Sequence, residues 1–223
     1  MQPREPTQPR VLFLHGLESD PDAPVGKVAD LRSTFEAVDA PALHTGKLQF
    51  HRRNSVLRCL LRLPALRAAA ALAAGSLLAC SVSGAPLRLS LLCLALPLAW
   101  LAAVHKWLVS SAVEASVVAS LTVARTAVKK FRPDVVVGSS WGGCLAALLV
   151  QQGDWDGRVA LLAPAGRRIA QALPARSKIR EQLLAPLPPR TVGVVVHGNR
   201  DTVVPLIDSK LLTAQWCAVL CWF

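Results

Sequence analysis

The stretch VVVGSSWGGC, residues 135–144, decides how the chain is expected to fold. Its first three residues are β-branched and apolar, which predicts a short strand buried in a sheet. Glycines and serines follow, and the small and apolar residues from Trp141 to Gln151 predict a helix directly after them. A strand that ends at a serine between glycines and continues as a helix is typical of a turn that presents a nucleophilic serine.

Strands and helices alternate along much of the chain on both sides of this stretch. Apolar runs at 11–14, 159–163 and 192–196 predict further strands, and the periodicity of 25–35 and 113–131 predicts helices. Strands that are apolar throughout and separated by helices indicate a parallel sheet covered on both faces. The sequence therefore predicts an α/β fold.

Ser140 is the predicted nucleophile within this fold. The run Gly138-Ser139-Ser140-Trp141-Gly142 matches G-x-S-x-G, in which small residues two positions from the serine leave room for a sharp turn. At the start of the following helix, free amide groups and the helix dipole favour the negative charge that develops during acyl transfer. A glycine-rich helix start that only packs tightly is the alternative interpretation.

Three motifs together resemble the α/β-hydrolase superfamily and, within it, the small esterase-like members. They are VLFLHGL (11–17), VVVGSSWGG (135–143) and VVVHGNRDTVVP (194–205), and they occur in the family order. The resemblance implies a parallel-sheet α/β-hydrolase fold, built as a three-layer sandwich, and a hydrolase of carboxylic esters or thioesters that uses no cofactor or metal. It also implies an oxyanion hole formed by the backbone N–H groups of Leu17 and Trp141.

Asp201 is the residue that the resemblance assigns as the catalytic acid. It follows a predicted strand, at the edge where parallel sheets form their sites. A turn-capping role before Val203-Val204-Pro205 is the alternative interpretation. His15 and His197 precede glycines at strand ends, and we interpret both as residues that structure their loops.

The histidine of a Ser–acid–His triad has no counterpart at the expected place. The resemblance puts it beyond one more helix and strand, but residues 202–223 contain no histidine. We expect a helix over 206–215 and no strand after it, so that the last strand, the histidine loop and the final helix are missing, as in a truncated gene product. A lid could bring His44, His51 or His105 to the serine, although their spacing does not indicate it.

Residues 50–112 interrupt the α/β pattern and leave 1–49 and 113–223 as the two parts of the core. No charged residue occurs in 68–87 or in 89–104, and each stretch is close to the shortest helix that crosses a membrane. We expect this apolar helical insertion to form a membrane hairpin or to lie in the membrane interface. A hydrophobic lid packed on the core is the alternative.

Composition and charge restrict the partners of the chain. It has 223 residues, a net charge of +11 and a mean hydropathy of +0.40. Arginines cluster in 52–67, before an apolar stretch and without a nucleic-acid-binding pattern, which favours a membrane surface over nucleic acid. The six cysteines show no metal-ligand spacing. We expect membrane association through 68–104, no nucleic-acid partner, and a cytoplasmic hydrolase core, with a soluble cytoplasmic protein as the alternative.

The leading hypothesis is a serine hydrolase of a small-molecule or lipid-like acyl substrate. Ser140 attacks the acyl carbon, and Asp201 orients a histidine that this chain lacks. The alternative is a catalytically inactive, membrane-associated α/β-hydrolase-like protein that binds or scaffolds. Because a sheet without its last strand would expose an apolar edge, we also expect poor solubility.

Overall fold

The apolar runs of the sequence form the strands of a single parallel sheet. The computed structural model describes residues 8–17, 20–45, 75, 87–213 and 219–222. Within these residues the strands are β1 (Val11–Leu14), β2 (Val38–Asp39), β3 (Val135–Ser139), β4 (Arg158–Leu162), β5 (Gly193–His197) and β6 (Val219–Trp222). They pair in parallel in the order β2-β1-β3-β4-β5-β6, so all their carboxyl ends lie at one edge of the sheet.

Helices connect these strands. In the described residues they are α1 (Lys27–Thr34), α2 (Leu87–Phe131), α3 (Trp141–Gln151), α4 (Gly166–Ala172), α5 (Lys178–Leu184) and α6 (Leu206–Thr213). Because parallel strands need crossover connections, this alternation follows from the sheet itself. The predicted fold class, α/β with a parallel sheet and flanking helices, is confirmed.

The core lies on both faces of the sheet. On one face, Val11, Phe13 and Val137 pack with Val28 of α1 in a buried cluster. On the other face α3 contributes ten consecutive buried residues, from Trp141 to Val150. A helix that is apolar or small on all sides suits a position enclosed between the sheet and further helices. This enclosed helix begins directly after Ser140, and the core therefore fixes the turn that contains the serine.

The chain divides into two compact units. Met1–Lys47 and Val113–Phe223 form the first, which holds the sheet, and Leu48–Ala112 forms the second. The long helix α2 contributes residues to both units. Its first-unit part buries one side, with Val113, Val117, Leu121 and Ala124 in the core.

One helical segment of the described residues, Val109–Phe131, is long and apolar enough to cross a membrane by length and composition. It lies C-terminal to the predicted apolar stretch 89–104, and its buried residues belong to the core of the first unit. A core helix passes the same test, and we interpret this segment as one. The stretch 89–104 is helical, as part of α2, whereas the predicted first half of the hairpin, 68–87, lies outside the described residues except for Gly75 and Leu87.

The end of the chain differs from the prediction. Helix α6 ends at Thr213, and β6 follows and pairs in parallel with β5 from Val194↔Val219 to His197↔Trp222. The prediction that residues 113–223 lack the last strand is therefore wrong. In an apolar run as short as Val219–Trp222, periodicity cannot distinguish a strand from a helix. The Cys and Trp residues there also do not indicate a turn that would bound a strand. Poor solubility is no longer expected from an uncovered β5, because β6 pairs with that strand and covers its edge.

Candidate active site

The sharp turn predicted at Ser140 is present in the backbone. Ser140 connects the end of β3 to the first residue of α3, with φ +52° and ψ −109°. Few residues other than glycine adopt a positive φ, and such conformations cost of order 1–3 kcal/mol each. The strained residue of the turn is thus Ser140 rather than Ser139, which belongs to β3.

The glycines around the serine are required by close backbone contacts. A Cβ atom on Gly138 would lie 2.5 Å from the carbonyl oxygen of Gly142. A Cβ on Gly142 would lie only 1.8 Å from the carbonyl oxygen of Leu14, at the end of β1. Any side chain at either position would force backbone atoms apart, and the G-x-S-x-G spacing therefore has a steric cause.

Backbone hydrogen bonds hold the turn in place. The amide of Ser140 donates to the carbonyl oxygen of Leu162 at 2.9 Å, which ties the turn to the neighbouring strand β4. Its own carbonyl oxygen accepts from the amides of Cys144 and Ala165, both at 3.1 Å. Among the described residues no side chain is bonded to Oγ of this half-buried serine. Three hydrogen bonds therefore fix the backbone of the turn, whereas the hydroxyl has no side-chain partner within the described part of the chain.

The two predicted oxyanion donors follow neighbouring strands of the sheet, Leu17 after β1 and Trp141 after β3. Trp141 is the first residue of α3, and its amide therefore lies outside the internal bonding of the helix. Leu17 lies in a turn three residues beyond the end of β1, the strand next to β3. The indole nitrogen of Trp141 is buried and has no hydrogen-bond partner in the part of the chain that is described.

Both buried histidines structure their loops, as predicted. The Nδ1 atom of His15 donates to the carbonyl oxygen of Gly16 at 2.8 Å, and its Nε2 accepts from the amide of Leu43 at 3.1 Å. The Nε2 atom of His197 donates to the carbonyl oxygen of Val204 at 2.8 Å, and its Nδ1 accepts from the hydroxyl of Ser209 at 2.6 Å. Because both nitrogens of each ring are bonded, neither ring has a lone pair to take a proton from Ser140.

Asp201 caps a turn and keeps one carboxylate oxygen outside it. Its Oδ1 accepts from the amides of Val203 and Val204, at 2.8 and 2.9 Å. Its Oδ2 lies 3.9 Å from Nε2 of His197, too far for a hydrogen bond. Oδ1 thus has the contacts expected of a turn-capping aspartate, whereas Oδ2 has no hydrogen bond in the described residues.

The sheet order places Ser140 and Asp201 at the same edge. Ser140 follows β3 and Asp201 lies beyond β5, with only β4 between them. At about 4.8 Å per strand, the two strands are about 10 Å apart, a gap that an imidazole and two side chains can span. Among the described residues, His15 and His197 have both ring nitrogens bonded to other groups, so neither is available to connect the two side chains. His51 lies outside the described residues, and His44 is exposed just after β2.

Sequence reasoning missed Lys27. Its ammonium donates a 2.8 Å hydrogen bond to Oγ of Ser139, a residue 112 positions away that is only 4% exposed. The bond fixes the start of α1 to the end of β3, directly beside Ser140. Nothing in the sequence around Lys27 indicates this contact, since a lysine in the first turn of a helix is ordinarily a surface residue.

Other reactive groups near the turn are excluded by their surroundings. Burial raises the pKa of the Cys144 thiol, so this cysteine stays protonated and is not a nucleophile. Within the described ranges, no three His, Cys, Asp or Glu side chains cluster in a way that could hold a metal ion. Cys217 lies outside the described residues. Ser140 remains the nucleophilic candidate of the turn.

Comparison with known proteins identifies distant likenesses of fold. No protein-family model matches the chain, and no curated protein matches it. A proposed hydrolase of the alpha/beta superfamily from Xanthomonas campestris pv. campestris is 19% identical, with a TM-score of 0.43, over 96% of this chain and 84% of that one.

Two further solved structures are similar over about half of the chain. MGS-M1, an alpha/beta hydrolase enzyme from a Medee basin deep-sea metagenome library, is 23% identical, with a TM-score of 0.33, over 48% of each chain. The esterase domain of a Rhodothermus marinus protein is 16% identical, with a TM-score of 0.30, over 47% of this chain and 55% of that chain.

Proposed function

We propose that this chain is a serine hydrolase of the α/β-hydrolase type, acting on a carboxylic ester or thioester through Ser140. The observation that supports this most strongly is the backbone of Ser140, strained between β3 and α3 with glycines two positions away on either side. A glycine-rich helix start that only packs tightly requires the two glycines, but it does not require a positive φ at the serine. It also does not require a serine hydroxyl that lacks a side-chain partner, as that of Ser140 does among the described residues. Such strain clusters at functional sites.

The proposed chemistry follows from the groups around this serine. Oγ of Ser140 forms a bond to the acyl carbon while its proton passes to a base. The carbonyl oxygen becomes an oxyanion, which accepts a hydrogen bond from the amide of Trp141 at the positive end of α3. Collapse expels the alcohol or thiol, which takes the proton, and water then hydrolyses the acyl-enzyme. A second oxyanion donor, the amide of Leu17, stays a prediction.

Asp201 is the proposed acid, and the base is the incomplete part of the site. Oδ1 is fixed by two backbone amides, which leaves Oδ2 to bond an imidazolium at the sheet edge. Loss of the triad histidine ordinarily removes most of the rate and leaves the effect of the oxyanion hole and of binding. We expect slow intrinsic chemistry that added imidazole accelerates.

A fluorophosphonate probe tests the nucleophile directly. We expect slow labelling of the parent chain, at least tenfold faster labelling in the presence of imidazole, and no labelling of Ser140→Ala, because only Oγ can form the phosphonate ester. Mass spectrometry of the labelled peptide gives the site. Ser139→Ala is the matched control, since it removes the neighbouring hydroxyl, and it should keep most of the labelling.

Two outcomes would contradict the proposal. Equal labelling of the parent and of Ser140→Ala would place the reactive group elsewhere. A parent that stays unlabelled with and without imidazole, while its unfolding transition shows a native fold, would favour the second candidate function, a catalytically inactive binding protein at a membrane.

Exposed apolar side chains on α2 favour a membrane role, whether the chain is a hydrolase or an inactive binding protein. In the second unit, Leu96, Trp100 and Trp107 of α2 are 68, 49 and 64% exposed, and with the exposed Ala103 they follow one another at intervals of four, three and four residues. This spacing places them on one side of the helix, and indole rings suit a bilayer interface. We propose association with a membrane, with the first unit in the cytoplasm and a lipid-like acyl compound as substrate.

Vesicle sedimentation tests the membrane role. We expect the full chain to sediment with vesicles of phosphatidylcholine and phosphatidylserine, and Trp100→Ser with Trp107→Ser to reduce the bound fraction several-fold. Val25→Ser removes an 84% exposed apolar side chain of the first unit and is the matched control, without effect. Extraction with alkaline carbonate distinguishes interfacial attachment from a membrane-spanning hairpin. Release of the chain from the vesicles supports interfacial attachment and contradicts the hairpin. Failure of the parent chain to sediment contradicts both.

A further inference from the structure

Exposed aliphatic side chains lie together on the surface formed by α5 and α6. Ile207 and Leu211 of α6 are each 48% exposed, and their separation by four residues places them on one side of the helix. Leu184, the last residue of α5, is 52% exposed and lines the same cavity as Leu211. These three side chains, which we call the α5–α6 patch, are therefore neighbours. Neighbouring exposed apolar side chains indicate a contact surface, whereas single ones are ordinary.

Cationic side chains lie beside the α5–α6 patch. Arg180 lies one turn before Leu184 on the same side of α5, and Arg167 lines the same cavity as Leu184. The guanidinium of Arg168 donates to the carbonyl oxygen of Val203, which is itself 58% exposed in the loop that leads to α6. The patch thus has arginines on α5 and at the start of α4, and one of them is held against the loop before α6.

The acidic residues of α5 and α6 do not balance these cations. Glu181 of α5 is exposed, whereas Asp208 of α6 is only 8% exposed and is hardly presented at the surface. Lys210 is a further exposed cation on α6. The surface therefore combines half-exposed aliphatic side chains with an excess of positive charge, and it is complementary to an anionic, partly apolar partner.

An anionic lipid bilayer fits this surface better than a protein does. The centres of protein interfaces are enriched in aromatic residues and poor in leucine, but the α5–α6 patch is wholly aliphatic. Aliphatic side chains flanked by lysines and arginines are typical of segments that lie in a membrane interface. A second copy of the chain is disfavoured, because a symmetric dimer would place the cations of one patch against those of the other.

We propose that the α5–α6 patch is a second membrane-contact surface, located on the first unit, and that it binds bilayers containing anionic phospholipids. Its aliphatic side chains enter the headgroup region, and the neighbouring cations attract the lipid phosphates. This contact requires neither hydrolase activity nor the exposed tryptophans of α2, which belong to the second unit. Because Ile207 lies in the first turn of α6, six residues after Asp201, the contact holds the site edge of the sheet close to the lipid.

A chain without the tryptophan contact isolates the contribution of the patch. The full-length Trp100→Ser, Trp107→Ser protein is titrated with phosphatidylcholine vesicles that contain or lack phosphatidylserine. We expect the binding that remains to be at least tenfold tighter to the vesicles with phosphatidylserine. In this background Ile207→Gln with Leu211→Gln should weaken it at least tenfold. Both side chains are half-exposed, so the core is not disturbed.

Matched substitutions test whether position and charge matter. Val25→Gln with Val192→Gln replaces two side chains that are 84 and 61% exposed elsewhere on the first unit, and it should leave binding unchanged. Arg167→Gln with Arg180→Gln keeps the aliphatic side chains and should lower the preference for phosphatidylserine about fivefold or more. An equal loss in the valine variant and the α6 variant, or an unchanged lipid preference in the arginine variant, would overturn the proposal.

Hydrogen exchange of the same chain locates the contact. Vesicles with phosphatidylserine should slow the exchange of amides in α5 and α6 and leave those of α1 unchanged. Slowing in α1 alone would overturn the proposal. A synthetic amphipathic helix with leucine on one side and glutamate on the other serves as the probe for an acidic protein partner. Binding of this peptide at the patch without binding of vesicles would also overturn it.

The tryptophan variant separates this proposal from the membrane role of α2. If the Trp100→Ser, Trp107→Ser chain loses all vesicle binding, the α5–α6 patch is not a membrane contact and the α2 contact stands. If that chain binds anionic vesicles as tightly as the parent, the patch is supported and the α2 contact is the one that fails.

Discussion

Gly142→Ala is expected to destabilise the first unit by about 4 kcal/mol or more, at the upper end for a single substitution. The added Cβ would lie 1.8 Å from the carbonyl oxygen and 2.3 Å from the carbonyl carbon of Leu14. These atoms belong to β1, which pairs with strands on both sides, so no flexible side chain can move away. Helix α3 must shift off the sheet, and it carries the whole of its buried face with it.

Urea unfolding of the full chain measures this effect. Gly198→Ala is the matched control, because a Cβ at that position meets nothing within 4 Å, and we expect it to change stability by less than about 1 kcal/mol. We also expect Gly142→Ala to lose fluorophosphonate labelling although Ser140 is intact, since displacement of α3 moves the amide of Trp141. Equal stability of the two alanine variants would mean that α3 does not approach β1 as closely as the structure describes.

The same contact explains why the turn could be predicted from the sequence. Two local signals flank G-x-S-x-G: a β-branched run before it and a run of small and apolar residues after it. The first corresponds to β3 and the second to α3. Gly138 and Gly142 are small because two backbone segments cross there. The spacing of the glycines therefore carries the steric information, and it distinguishes Ser140 from Ser139 as the residue of the turn.

The parts that could not be predicted depend on contacts between distant residues. The hydrogen bond from Lys27 to Ser139 joins the start of α1 to the end of β3, and its two residues are 112 positions apart in the sequence. Neither side chain has a local sequence pattern that indicates the bond. Oδ2 of Asp208, in the first turn of α6, is buried without a hydrogen bond among the described residues, and only the packing of α6 in the fold produces this burial. Strand β6 is too short for its periodicity to identify it, and its pairing with β5 decides its conformation. Tertiary context, not local propensity, determines these three features.

Strain at the proposed nucleophile has a cost that mutation can measure. With φ +52° and ψ −109°, the backbone of Ser140 lies in a region that costs a residue with a Cβ about 1–3 kcal/mol, whereas glycine adopts positive φ readily. Ser140→Gly removes the strain but loses more backbone entropy on folding, by about 0.5–1 kcal/mol. Ser140→Ala keeps Cβ and therefore keeps the strain. We expect Ser140→Gly to be more stable than Ser140→Ala by about 1 kcal/mol in urea unfolding.

The control for this comparison is the neighbouring serine. Ser139 lies in β3 without positive φ, so Ser139→Gly relieves no strain, and we expect it to be less stable than Ser139→Ala, which loses the same hydrogen bond from Lys27. Opposite signs at adjacent serines would separate backbone strain from the general effect of glycine. If Ser140→Gly were also less stable than Ser140→Ala, the turn would be relaxed in solution, and the strongest support for a nucleophile at this position would be lost. Because both glycine variants lose a hydroxyl, the sign at Ser140 reports on its backbone, which is the feature that distinguishes a nucleophile turn from a tight helix start.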